Sequence, residues 1–276
     1  MTQTTTEAPQ PEVPDELMTN PHVAGVQRML IQGVPVDRIT LGAVISLTAA
    51  VIEDRRQISV MAVNPEQVVR ARQDPALLTH LHRSDILIPD GTGCVLAMRW
   101  QGFGVERLPG AELMPALCER AAGSGWRVFL FGAHPEANAV AAQRLIERYP
   151  ALRIVGRQHG YLGPDDEAEL IERINASGAE LLFVATGSPR QEAWIHRNRD
   201  RLRVNVLQGI GDILDVAAGT ARLGPDSWQR WKLAWLYRLL PQPRQWRRQR
   251  ALLVFALRLI AERAGFAAPA SPADVD

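Results

Sequence analysis

The feature that most limits the fold of this chain is a regular alternation of short apolar runs with segments of helical length. The runs at 58–63, 85–88, 127–131, 152–155, 181–185 and 204–207 are apolar almost throughout. Such runs are typical of strands that are buried on both faces of a parallel sheet. The alternation predicts an α/β domain of Rossmann-like type, with a parallel sheet and helices on both of its faces.

The helices predicted between these strands are marked by their starting residues. Asn64 is a good N-cap, Pro65 fits the first helical position, and Gln67 completes a capping box. Ser188 and Gln191 have the same spacing. The predicted helices span 42–53, 65–72, 77–82, 94–100, 112–122, 136–149, 165–176 and 189–199.

Composition divides the chain into four parts. Residues 1–22 are polar, acidic and rich in proline, so we expect a disordered leader. Residues 23–224 form the predicted core, 225–264 a basic helical appendage that is rich in tryptophan, and 265–276 a flexible tail. The whole chain is nearly neutral, with 31 basic and 30 acidic side chains, and only the appendage has a strong charge.

Several function classes are disfavoured by what the sequence lacks. Cys94 and Cys118 lie in apolar runs without the spacing of a zinc site, so we expect reduced core thiols. No H-E-x-x-H pattern occurs, no D-x-D triplet occurs before the C-terminal tail 265–276, and we expect no metal. The N-terminus does not resemble a secretion signal, and no apolar run reaches the roughly 18 residues that span a bilayer.

Asp90 is the candidate catalytic residue. It follows the strand 85–88 and Pro89, which lacks a backbone N–H and should end that strand. Gly91 permits a tight turn, and Thr92 is a candidate cap for the next helix. Ligands of open α/β sheets bind outside the carboxyl ends of the strands, where this carboxylate should lie. An ordinary turn aspartate is the alternative.

Other strands also end in residues that suit a ligand. Glycine turns before helix N-termini offer backbone N–H groups and a partial positive charge, as a nucleotide diphosphate requires. For Asn64 and Gln191, a purely structural capping role is the alternative. The predicted substrate-binding residues are Asn64, Gly91, Thr92, Gly132, Ala133, Gly187, Arg190, Gln191, Gly209 and Gly211.

The appendage combines tryptophan with arginine. Between Ser227 and Ala261 there are eight Lys or Arg residues and no acidic residue. Trp228, Trp231 and Trp235 share one helical face, which favours a segment that lies in the headgroup layer of an anionic membrane. The alternatives are a helix that packs its tryptophans on the core, or nucleic-acid binding, which we do not expect. Predicted membrane-binding residues are Trp228, Trp231, Trp235, Arg244, Trp246 and Arg247.

Taken in order, seven motifs resemble the WecG/TagA/CpsF family of bacterial glycosyltransferases, glycosyltransferase family 26. They are VNPEQV, IPDGTGCV, ERLPGAELM, VFLFGA, GSPRQEAWI, GIGDILDVAAGT and WLYRLLPQPRQWRR. The resemblance covers about 36–260. It implies a Rossmann-like, metal-independent, inverting transferase that needs no cofactor and moves a sugar from a UDP-sugar to a polyprenyl-diphosphate-linked sugar. It also implies a peripheral enzyme on the inner face of the bacterial plasma membrane, in cell-surface or exopolysaccharide synthesis.

The resemblance also implies roles for individual residues. Asp90 matches the proposed base, and Asn64 and Gln191 match active-site positions. The appendage would supply a catalytic arginine, for which Arg238, Arg248 and Arg258 are the candidates. Ala62 stands where the family often has threonine, so a hydroxyl contact is lost. Self-association is an open alternative, and the rival function is a non-enzymatic membrane adaptor that senses a nucleotide.

Overall fold

The structure, a computed structural model, describes residues 20–105, 107–163, 166–219 and 246–264, and in the last of these segments it describes side chains from residue 250 onward. Within these ranges the predicted parallel sheet is present, with six strands in the order β4-β3-β8-β7-β5-β6. All of its pairings are parallel. The strands are β3 (Ile58–Val63), β4 (Ile86–Pro89), β5 (Arg127–Gly132), β6 (Arg153–Gln158), β7 (Leu181–Ala185) and β8 (Val206–Gly209).

Helices cover both faces of this sheet, so the predicted Rossmann-like α/β class is confirmed. The described helices are α1 (Leu41–Glu53), α2 (Pro65–Ala71), α3 (Pro75–His82), α4 (Thr92–Trp100), α5 (Gly110–Ser124), α6 (Pro135–Arg148), α7 (Asp166–Ser177), α8 (Arg190–Asn198), α9 (Ile213–Ala217) and α10 (Trp246–Arg263). One apolar cluster joins the sheet to α2, α3, α4, α7, α8 and α10. A second cluster joins the opposite face to α1, α5, α6 and α9.

Alternate residues of each strand enter different clusters, as the pleat requires. On β3, Met61 and Val63 belong to the first cluster and Val60 to the second. Buried aromatic side chains follow the same rule, because Phe131 faces one layer and Phe183 the other. Both faces therefore exclude water, which explains why the strands are apolar throughout.

Two predicted helix caps are wrong. Gly91, with φ of +82°, occupies the N-cap of α4, so Thr92 is the first helical residue and makes no capping hydrogen bond. The N-cap of α8 is Pro189, so Ser188 and Gln191 form no capping box. The capping box of Asn64 and Gln67 is confirmed in both of its hydrogen bonds.

An antiparallel hairpin, β1 (Gln27–Ile31) and β2 (Val34–Arg38), precedes the sheet and was not predicted. Gln32 and Gly33 both have positive φ, as a type I′ turn requires. Arg28 and Asp37 form a buried ion pair between the two strands, with 2.7 Å from Nε to Oδ1. Asp37 Oδ2 also accepts from the Leu87 amide, which fixes the hairpin beside β4.

The start of the described chain lies within the predicted leader. Asn20 is buried, and its Nδ2 donates to the Asp85 carbonyl at 2.7 Å. Its Oδ1 accepts from the amides of His22 and Val23. Asn20 thus packs on the core while Pro21 and His22 are exposed, and residues 1–19 lie outside the described part.

The last described helix, α10, packs against α2 and α4. Phe255 and Leu259 are buried in the first cluster, and Gln32 Nε2 donates to the Phe255 carbonyl. A Cβ on Gly93 would stand 2.7 Å from Pro65 Cγ and 3.2 Å from Phe255 Cε1. This part of the predicted appendage therefore lies directly against the turns that follow β3 and β4.

Candidate active site at the carboxyl edge of the sheet

The carboxyl ends of the strands bring most of the predicted site residues to one edge. Following the strand order, Asp90, Asn64, Gly209 with Gly211, Gly187, and Gly132 with Ala133 succeed one another. The chain leaves β3 toward β4 at one side of the sheet and leaves β5 toward β6 at the other. Connections that diverge in this way open a crevice at the carboxyl edge, where α/β proteins bind ligands.

Asp90 and Asn64 lie on adjacent strand ends. The Asp90 amide donates to the Val63 carbonyl at 2.9 Å, which extends the β3–β4 pairing to the start of both turns. A Cβ on Gly91 would stand 3.1 Å from Pro65 Cδ, so the two turns touch. Burial raises the pKa of the Cys94 thiol in the first turn of α4, and the Asp90 carboxylate raises it further.

Asn64 caps α2 through its side-chain oxygen, and its side-chain NH₂ group takes no part in the cap. Its Oδ1 accepts from the Gln67 amide at 3.0 Å, and the Gln67 side chain accepts from the Asn64 amide at 3.2 Å. The capping alternative is therefore correct for the oxygen. The Nδ2 group is not used by the cap, and no hydrogen bond joins it to another described residue.

Gln191 reaches across to the end of β8. Its Oε1 accepts from the Gly211 amide at 2.8 Å. A Cβ on Gly209 would stand 3.0 Å from Gln191 Nε2 and 2.6 Å from Met61 Sδ, so only glycine fits under these side chains. Gln191 thus shapes the β8 turn instead of capping its own helix, while Arg190 beside it is exposed.

The β5 turn is pressed against β7. Gly132 has φ of +117°, and a Cβ there would stand 2.3 Å from the carbonyl carbon of Ala185. Ala133, also with positive φ, donates its amide to the Ala185 carbonyl at 2.8 Å. The backbone therefore approaches the crevice without side chains, just before α6 begins, and such an opening suits a phosphate. Gly187, the turn residue after β7, also has positive φ.

Two acidic residues near this edge were not predicted as site residues. Burial raises the pKa of Asp215 in α9, the neighbouring Asp212 carboxylate raises it further, and His134 opposes the shift. The His134 ring meets Tyr161 edge-on at 5.5 Å. The GIGD motif could have indicated Asp212, because it places this residue directly after β8. The sequence did not indicate that α9, which carries Asp215, lies beside the β5 turn.

Arg107 is a further residue that the sequence reasoning missed. The next residue, Leu108, donates its amide to the Pro89 carbonyl at 3.0 Å, so this loop lies against the end of β4. Arg107 is 3.8 Å from the Glu112 carboxylate, too far for a strong ion pair. The loop that carries Arg107 is therefore bonded to the end of β4, directly before Asp90.

The structure describes only some of the predicted arginines and tryptophans of the appendage. Arg238, Trp228, Trp231, Trp235 and Arg244 lie outside the described residues. Trp246, Arg247 and Arg248 belong to the first turn of α10, where side chains are not described.

Arg258, the third candidate catalytic arginine, lies within the described part of α10. It is one turn beyond Phe255, in a group with Glu262 and Arg72, the residue that ends α2. Arg258 Nη1 is buried and has no hydrogen-bond partner among the described residues. Burial raises the pKa of Glu262, while the two arginines lower it.

Two negative findings apply to the described residues only. No group of three or more His, Cys, Asp or Glu side chains in them is placed to hold a metal ion. None of the helices in this part of the chain has the length and apolar character needed to cross a membrane.

The fold and the edge together define a Rossmann-like α/β protein, with Asp90 and Asn64 on adjacent strand ends at one side of its crevice and glycine turns along the rest. Residues 29–268 match the Glycosyl transferase WecG/TagA/CpsF family. The chain belongs to this family of glycosyltransferases, which act in the synthesis of cell-surface polysaccharides. The family as a whole uses sugar-nucleotide donors and lipid-linked acceptors.

Proposed function

We propose that this protein is an inverting, metal-independent glycosyltransferase of bacterial cell-surface or exopolysaccharide synthesis. It moves a hexose or N-acetylhexosamine from a UDP-sugar to a polyprenyl-diphosphate-linked sugar, at the inner face of the plasma membrane. The observation that carries the proposal is the placement of Asp90 beside Asn64, at the end of a crevice lined by glycine turns.

In this proposal the UDP group binds in the part of the crevice that the glycine turns line. The β5 and β7 turns lead into the N-termini of α6 and α8, neither of which has a side-chain cap. Uncapped helix N-termini attract a diphosphate through free N–H groups and the helix dipole. The exposed Arg190 in the first turn of α8 adds a positive charge.

Asp90 serves as the general base in this proposal. The acceptor hydroxyl transfers its proton to the Asp90 carboxylate while the hydroxyl oxygen bonds to the anomeric carbon. The bond from that carbon to the UDP oxygen breaks, and its electron pair leaves with UDP on the opposite face, so the configuration inverts. General-base assistance of this kind contributes about 10²–10⁴-fold in rate.

Charge that develops on the departing UDP needs donors, because a charged phosphate oxygen is stabilised by arginine and backbone N–H groups. Arg238 and Arg248 are the proposed arginines from the appendage. Arg258 is a weaker candidate, because its described neighbours lie at the far end of α2. Arg107 is an additional candidate because its loop is bonded to the end of β4.

The outer face of α10 supports the peripheral membrane part of the proposal. Leu253, Leu257 and Ile260 are each more than half exposed, and their spacing places them on one face. Leu96 and Trp100 on α4 are exposed as well, and Arg263 of α10 stacks on the Trp100 ring at 5.5 Å. Apolar side chains bordered by arginine are typical of helices that lie in the membrane interface.

Binding to lipid vesicles tests this surface. Replacing Leu253 and Leu257 by aspartate should abolish sedimentation with vesicles that contain anionic phospholipid. The matched control is Ile146→Asp in α6, on the opposite side of the sheet and similarly exposed at 40%. Equal losses in both proteins, or no loss in the α10 variant, would contradict the proposed surface.

Release of UDP tests the proposed chemistry. The protein is incubated with a panel of UDP-sugars, with and without a prenyl-diphosphate monosaccharide, and free UDP and glycolipid are measured. We expect one donor to give stoichiometric UDP and disaccharide lipid, with inverted anomeric configuration. Nucleotide binding without any turnover across the panel would instead support the adaptor.

A further inference from the structure

A buried carboxylate lies beneath the crevice, one residue after Gln191. Glu192 is 1% exposed, in the first turn of α8. Its Oε1 accepts from both Gln67 Nε2 and Gln191 Nε2, each at 3.1 Å. Its other oxygen, Oε2, is buried and has no hydrogen-bond partner among the described residues. Burial of a carboxylate without an ion pair is costly, so the presence of Glu192 at this position needs an explanation.

Each of the two glutamines uses its other end to hold a strand end. Gln67 Oε1 accepts from the backbone amide of Asn64 at 3.2 Å, at the end of β3. Gln191 Oε1 accepts from the backbone amide of Gly211 at 2.8 Å, beyond β8. Glu192 is therefore the centre of a continuous chain of hydrogen bonds that joins two adjacent turns of the crevice.

The chemistry of the pair explains why a carboxylate stands at this centre. An amide side chain has one accepting and one donating end, and either end fits the same space. If either glutamine rotated by 180°, its NH₂ group would face the backbone N–H, and its oxygen would face Glu192. A carboxylate oxygen accepts only, so it selects the orientation in which both amide oxygens point at the strand ends.

We propose that Glu192 is a positioning residue, which sets the orientation of Gln67 and Gln191 and so holds the β3 and β8 turns in the one arrangement that receives the sugar nucleotide. The inference rests on the proposed function for the identity of the ligand. Glu192 does not touch the reacting atoms, because it lies below the turns and is shielded by the two glutamines. Gln67 Nε2 also reaches Ser188 Oγ at 3.4 Å, which brings the β7 turn into the same network.

Three variants separate this role from simple stability. Glu192→Leu removes the acceptor at similar volume. Glu192→Gln keeps one accepting oxygen in the same place. Asn198→Leu is the matched control, because Asn198 is fully buried on the same helix, bonds to Trp194, and does not contact the network. Thermal unfolding of each protein verifies that it folds, and Glu192→Met replaces Glu192→Leu if the latter does not.

Two readouts are combined on the full chain. The first is kcat/KM for UDP release from the donor, which should fall about tenfold or more in Glu192→Leu, since two buried N–H donors lose their partner. It should stay within about threefold of wild type in Glu192→Gln and in Asn198→Leu. The second is hydrogen exchange of the Gly211 amide, which should accelerate in Glu192→Leu alone.

The outcomes distinguish the inference from the function on which it rests. Unchanged Gly211 exchange in Glu192→Leu, or an equal loss of kcat/KM in Asn198→Leu, would overturn the positioning role. A wild-type protein that releases no UDP from any donor, while Gly211 exchange still depends on Glu192, would overturn the proposed function and leave the coupling between the two turns established.

Discussion

The packing of α10 beside the crevice leads to a quantitative prediction for Phe255→Ala. Phe255 is 3% exposed and contacts the turns at Gly93 and Pro65. Loss of a buried phenyl group costs about 3–5 kcal/mol in a well-packed core. Among the side chains described on α10, those from residue 250 onward, only Leu259 is comparably buried, and Ala251 and Val254 are partly buried. The lost contact is therefore a large share of what holds this helix.

Because about 1.4 kcal/mol corresponds to tenfold in an equilibrium constant, the ratio of docked to undocked α10 should fall by roughly 100- to 4,000-fold. The sheet should remain folded, since it has its own buried residues on both faces. Hydrogen exchange read by mass spectrometry measures this directly. Peptides from α10 should exchange much faster in Phe255→Ala, while peptides from β5 and β7 keep their wild-type protection.

Leu257→Ala is the matched control, because Leu257 is 58% exposed on the same helix. Its effect on docking should lie within about 0.5 kcal/mol. Equal exchange rates for α10 in the two variants would refute the reasoning that Phe255 anchors this helix next to the site.

Three other predictions concern stability and reactivity. Gly132→Ala should lower the unfolding free energy by more than about 2 kcal/mol in a denaturant titration, because a Cβ would stand 2.3 Å from the Ala185 carbonyl carbon at a φ of +117°; a near-neutral effect would contradict the close approach. Burial raises the pKa of Glu192 above the ordinary glutamate pKa of 4.5, so between 4.5 and the folded pKa the native state binds more protons than the unfolded state. Stability should therefore fall as pH rises through this window, and the fall should be smaller in Glu192→Gln; parallel stability curves for the two proteins would refute the shift. Burial raises the pKa of Cys118 to about 12 and also raises that of Cys94, so neither thiol should react with a thiol reagent at pH 8 until the protein unfolds; rapid labelling of the native protein would contradict this.

The sheet could be predicted because its strands are buried on both faces. Uniformly apolar runs such as 58–63 and 181–185, separated by helices, are typical of buried parallel strands. The structure has both strands at those bounds. The hairpin of β1 and β2 was harder to find, since β2 contains Pro35 and the buried Asp37. Asp37 is tolerated there only through its ion pair with Arg28, which is a tertiary feature.

The candidate site was predicted as a set of strand ends, but not as a network. Asn64 and its capping box follow from spacing alone, because the two residues are three positions apart in one helix turn. Gln191 has the same spacing from Ser188, yet it bonds to Gly211, twenty residues away. That choice depends on the neighbouring positions of β7 and β8, which local spacing does not contain. Arg107 and Asp215 were missed for the same reason.

The central claim is that Asp90 takes the proton of the acceptor hydroxyl, and the most direct test is turnover of Asp90→Asn with the preferred UDP-sugar and lipid acceptor. We expect kcat to fall by about 10²–10⁴-fold, with donor binding retained, since the amide keeps the shape but is no longer a base. Asp215→Asn, which alters the other carboxylate near this edge, should keep most of its activity. Near-normal turnover in Asp90→Asn, or a collapse only in Asp215→Asn, would contradict the account.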